Sequence, residues 1–179
     1  MVSVLAVPGI FTEKEEPMAL TMMTWLFAIP LLGVVTGMRT MTAMAILCWF
    51  AYAGHLPLDD TWAFWAAKLI TAIVFSIFAI GEYVVDKLPK TPSRTAPFPL
   101  IARLVFAGLV GAIVAAGLNG SGVESVILCI GGALVGAFAG FLIRREIVIR
   151  LNSKDWPVAL VEDASAILGA VLAMGIVTG

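Results

Sequence analysis

Four carboxylates and three guanidinium groups lie in or beside the apolar runs of this chain, and their spacing limits the chemistry they can do. Glu82 and Asp86 close one run, in the string Gly81-Glu-Tyr-Val-Val-Asp86. Side chains four apart share one face of a helix, so the two acids act together. Glu162 and Asp163 open the last run, while Arg39, Arg103 and Arg144 stand at the ends of others. A charge at the centre of a membrane span costs roughly 2.5–3.5 kcal/mol on insertion scales, so such groups turn inward, find partners and mark functional sites. Carboxylates beside guanidinium groups can hold a cation, pass a proton or contact a headgroup. Acid–base catalysis by Glu82 and Asp86 is the least favoured use, because no nucleophile or metal set accompanies them.

The elements that position these groups are membrane helices. Of 179 residues 61% are hydrophobic and 13% charged, against roughly 25% charged in a soluble domain, and the mean hydropathy is +1.04. Six apolar stretches cover about 18–36, 40–54, 62–85, 98–118, 123–143 and 158–178. The expected fold is all-α: a polytopic bundle of five or six spans forming one domain over 18–179, after a tail over 1–17. Residues 18–54 as one straight helix would reach roughly 55 Å, well past a hydrocarbon core of about 30 Å. Either the segment breaks near Gly37 into two spans, or an interfacial helix turns into one span near Pro30. Pro30, Gly33 and Gly37 favour such a bend.

Loop charge sets the expected orientation. Lys87, Lys90 and Arg94 lie in one loop and Arg144, Arg145, Arg150 and Lys154 in another, whereas 55–61 and 119–122 hold no Lys or Arg. The positive-inside rule puts loops 87–97 and 144–156 in the cytoplasm and the C-terminus outside; the side of the N-terminus follows from whether 18–54 makes one span or two. Lys68 is expected to snorkel past Trp62 and Trp65. With this orientation nearly every embedded charge gathers in the inner half of the bilayer, and Arg39 joins them if Gly37 to Thr40 forms an inner hairpin. Inverted halves would send the two acidic pairs to opposite faces, which disfavours an inverted repeat.

Several features have plain readings. Cys48 and Cys129 fall in separate apolar runs and read as buried thiols, and His55 alone cannot build a metal or catalytic cluster. Met1–Ile10 lacks a basic n-region and does not read as a cleavable signal. The early methionines, Met18 to Met44, read as flexible packing rather than soft-metal ligands; no cofactor is expected, and no metal is assigned. The near-neutral charge without a basic aromatic patch points away from nucleic acid. Gly132, Gly136 and Gly140 form a small-residue stripe suited equally to packing within the chain and to contact between subunits.

Gly37-Met-Arg-Thr40 after one run, Glu82-x-x-x-Asp86-Lys-x-Pro89 at the end of another and a later Glu162-Asp163 resemble small bacterial membrane proteins of the domain of unknown function 4126 type. The resemblance spans most of 30–175. It implies Arg39, Glu82, Asp86 and Pro89 as signature positions, and a bacterial inner-membrane location, without bringing an activity. The expectation is a small, homo-oligomeric transporter or channel for an ion or small solute. Glu82, Asp86, Glu162 and Asp163 would form its site, with Arg39 as counter-ion and with backbone groups at Gly37 and Thr40. Lys87, Lys90, Arg94, Arg103 and Arg144 would meet headgroups or anions. The rival expectation is a lipid-binding or scaffold protein whose inner charges form an ion-pair network or a headgroup site.

Overall fold

A computed structural model describes residues 24–86, 96–151 and 155–179, and every regular element among them is helical. Helix α1 covers Ile29–Met38, after one π-helical turn over Thr24–Ala28, and α2 covers Thr40–Tyr52. They are followed by α3 (Leu69–Val85), α4 (Pro97–Gly117), α5 (Gly122–Leu151) and α6 (Asp155–Thr178). By length and composition α4, α5 and α6 can each cross a membrane, while the described parts of α1, α2 and α3 are shorter apolar helices. The bundle thus has three full-length apolar helices and three short ones among the described residues. The loop residues Lys87, Lys90 and Arg94, with Pro89, lie outside the described residues, as do the tail over 1–17 and Met18, Met22 and Met23.

The first long apolar segment does break, two residues after Gly37. Arg39 adopts an extended backbone (φ −141°, ψ 99°) between two α-helices. The chain reverses there. Pro30 instead follows closely on the π-helical turn, so the irregular winding of this helix falls just before the residue that lacks an N–H to give to the preceding turn. Helix α2 runs antiparallel to α3, pinned by Trp49 Nε1 donating to Ser76 Oγ at 3.0 Å and by the Thr42 and Tyr83 hydroxyls at 2.7 Å.

Helices α1 and α5 run in the same direction in close contact. A Cβ on Gly33 would strike the carbonyl of Cys129, and one on Gly37 that of Ala133. Reciprocally, Gly132 faces the carbonyl of Pro30, and Gly136 that of Val34. The Gly33-x-x-x-Gly37 and Gly132-x-x-x-Gly136 pairs therefore interlock, each Cα against a partner carbonyl, in the arrangement that allows Cα–H···O contacts between helices. This part of the stripe packs within the chain. Gly37→Ala should lower stability by about 1–3 kcal/mol through overpacking. Gly131→Ala should be neutral or mildly stabilising, because its Cβ meets nothing within 4 Å and alanine is the better helix former by about 1 kcal/mol. Thermal unfolding in detergent distinguishes the two.

Three expectations about boundaries need correction. The basic stretch 144–156 is not a loop: α5 continues to Leu151 and α6 begins at Asp155. Arg, Glu, Ile and Leu all sustain a helix, and the exposed Glu146–Arg150 pair, four residues apart at 2.5 Å, reinforces it. The stretch 62–67 is not the start of a span but a turn and a short 3-10 segment (Phe64–Ala67). Lys68 is accordingly extended and stands before α3 rather than within it. At that same end Leu56 and Leu58 fold inward and are buried, with Leu56 in the space a Cβ on Gly117 would need. Cys48 and Cys129 are free and buried.

Candidate functional site

A helix that stops inside a bundle leaves carbonyls at its C-terminus and N–H groups at its N-terminus without helical partners. The break at Arg39 creates both sets within one residue of each other, and two charged side chains from other helices take them up. Arg103, on α4, donates through Nη1 to the carbonyls of Gly37 at 2.8 Å and Met38 at 2.9 Å. Glu82, near the end of α3, accepts from the backbone N–H of Thr40 at 3.0 Å and of Met41 at 2.9 Å, one carboxylate oxygen to each. The signs suit the helix dipoles, a cation at the C-terminus of α1 and an anion at the N-terminus of α2. Arg103 Nη2 lies 3.6 Å from Glu82 Oε1 and closes the ring. The backbone groups at Gly37 and Thr40 are therefore occupied rather than open to a ligand.

Arg39 itself is fully buried. Its guanidinium bridges Asp86 at the end of α3 and, through Nη2, Asp163 Oδ1 on α6 at 2.6 Å. The contact with Asp163 is one of charge more than an aligned hydrogen bond. The Tyr83 ring lies 5.7 Å from the guanidinium carbon, within cation–π range. Arg144, on α5, reaches Glu162 on α6 at 3.6 Å. All seven charges anticipated from the sequence therefore meet at one end of the bundle, contributed by the hairpin tip and by α3, α4, α5 and α6.

Their partnerships divide the expected set. Arg39 was expected as counter-ion to the four carboxylates together; it bridges two of them, Asp86 and Asp163, while Glu82 holds backbone. Arg103 was expected among the headgroup contacts, yet it is buried and holds the end of α1. Sequence reasoning missed Tyr83 and Thr42, which tie α3 to α2 beside the charges; the signal was available, since Tyr83 stands between Glu82 and Asp86 and a tyrosine hydroxyl in an apolar setting requires a partner.

Two clefts reach the charges from opposite sides of the tip. One, of about 460 Å³ between α3 and α4, ends at Thr40, Glu82 and Arg103, with Phe78, Val85 and Phe98 along it. The other, of about 230 Å³, lies among α1, α5 and α6 and meets Arg144 and Glu162. Among the described residues no group of three or more His, Cys, Asp or Glu side chains is arranged to hold a metal ion. Compared with protein families, with curated proteins and with solved structures, the chain matches none.

Proposed function

We propose that the protein is a small integral membrane transporter in which the break at Arg39 is the site that binds a cation or a proton and responds to it. The observation that carries this reading is that both broken helix ends are held by removable charges. Unpaired backbone in lipid costs several kcal/mol per group, so a reversal with only a structural task is better placed at the membrane surface, where water takes up the free groups. Discontinuous helices near the middle of a membrane are a recurring way of building ion and substrate sites in carriers. Measured along α5, Gly37 lies beside Ala133 and Ala137, roughly 10 Å short of Arg144 at about 1.5 Å per residue. In this reading the tip ends inside the membrane and Arg144 lies near its surface.

Glu82 is the responsive group. As an anion it holds Thr40, Met41 and Arg103 together; a proton or a bound cation competes for the same oxygens and loosens the start of α2. In this reading the α3–α4 cleft, which ends at Glu82, is the side from which such an ion approaches. The resemblance to the domain of unknown function 4126 type fits this scheme, since its Gly-Met-Arg and Glu-x-x-x-Asp elements supply the break, Glu82 and Asp86.

The test is flux in proteoliposomes against a panel of protons, monovalent cations and small cationic solutes. Glu82→Gln retains one acceptor oxygen but loses the charge, and should reduce flux at least tenfold while the protein still folds and extracts. Losing a charge-assisted hydrogen bond of about 1.5–3 kcal/mol produces a change of that size. Flux unchanged in Glu82→Gln sinks the proposal.

A further inference from the structure

The cleft among α1, α5 and α6 serves no purpose in the scheme above, and its form is that of a lipid seat. Helices α5 and α6 meet only sparingly, and the space between them is lined by Val34, Met38, Ala139, Ile143 and Val158, with Arg144 toward the end where α5 leaves the bundle. Gly122 and Arg144 are separated by roughly 33 Å along α5 at about 1.5 Å per residue, close to the hydrocarbon thickness of about 30 Å. Arg144 thus falls at the depth of phosphate groups, and the apolar part of the groove at the depth of acyl chains. Arg145 follows it and is exposed, and beyond it Glu146 pairs with Arg150, so Arg144 and Arg145 leave this stretch of α5 with a net positive charge. At about 230 Å³ the groove has room for part of an acyl chain.

We propose that this groove seats one anionic phospholipid, its phosphate on Arg144 and part of one acyl chain between α5 and α6. The Arg144 side chain remains 16% exposed while it contacts Glu162, and a guanidinium carries five N–H donors in a fork suited to phosphate oxygens. A zwitterionic lipid brings an ammonium group to an arginine-rich end and gains less. Ser165 and Glu162 complete the polar end of the groove.

The experiment reads lipid, not flux, so it stands or falls apart from the transport proposal. Protein is reconstituted in nanodiscs of mixed phosphatidylcholine and phosphatidylglycerol, re-extracted in mild detergent, and the retained lipid is counted by native mass spectrometry. The expected result is one retained phosphatidylglycerol per chain. Arg144→Gln should reduce its retention about tenfold, the effect of losing one charge-assisted hydrogen bond. Ala139→Leu, which fills the groove without touching the arginine, should displace it too, and it keeps the test decisive if Arg144→Gln does not fold. Retention of phosphatidylcholine equal to that of phosphatidylglycerol overturns the proposal, as does undiminished phosphatidylglycerol in Ala139→Leu.

Discussion

Arg39→Met should destabilise the protein by about 3–5 kcal/mol, the usual cost of removing one partner from a buried ion network. The size follows from what is left behind. Asp86 and Asp163 both pair with this one fully buried guanidinium, and without it two carboxylates lose a shared counter-charge in a largely buried setting. Methionine matches the volume of the aliphatic stem, so a cavity contributes little and the loss is electrostatic. Arg39→Lys should recover only part of the deficit, because an ammonium is a point charge that cannot span two carboxylates as a planar fork does. Adding Asp86→Asn and Asp163→Asn to Arg39→Met should recover more, since those changes remove the stranded charge. Thermal unfolding in detergent, followed by tryptophan fluorescence, gives the ranking. If Arg39→Met unfolds within about 1 kcal/mol of the native protein, the network is solvated and its burial carries no weight.

Arg103→Met should cost about 2–4 kcal/mol and act on different atoms. It leaves the Gly37 and Met38 carbonyls without the donor the structure shows and takes from Glu82 its charged neighbour. Each buried acceptor stranded in this way costs roughly 1–3 kcal/mol. The effect should also be local. Amide exchange at Thr40 and Met41, whose N–H groups end on Glu82, should accelerate at least tenfold, while amides in the middle of α5 hardly change. A double-mutant cycle of Arg103→Met with Glu82→Gln should give a coupling well outside additivity, in contrast to the cycle of Arg103→Met with Gly131→Ala. Equal acceleration along the whole chain would mean that Arg103 stabilises the bundle in general and does not hold a helix end.

The place where the charges gather was legible before the fold. Apolar run lengths fix how far each charge lies from a span end, and the basic residues fix which ends are neighbours, so Glu82, Arg103, Arg144 and Glu162 had to lie toward one end of the bundle. Who pairs with whom was not legible, because it depends on how each helix is rotated and on which neighbours it meets. Nothing in the spacing of Glu82 and Asp86 says that the first binds backbone and the second binds Arg39. The break was anticipated near Gly37 for its conformational freedom. It occurs at Arg39, because Gly37 is needed inside the helix, where it lets α1 approach Ala133. The glycine stripe was legible as a contact surface but not by its partner. Its sequence suited packing within the chain and contact between subunits equally, and Gly132 and Gly136 interlock with Gly33 and Gly37 of the same chain.

That interlock has a consequence for motion. Helix α1 is fastened to α5 backbone against backbone, at four glycines, with no side chain able to rotate out of the way. Helix α2 leaves the same break with its first turn held by a carboxylate and its flank by hydroxyl and indole contacts to α3. Any give at the tip is therefore one-sided: α1 and α5 form a fixed wall, and the first turn of α2, held there by the Glu82 carboxylate, is the part that can yield.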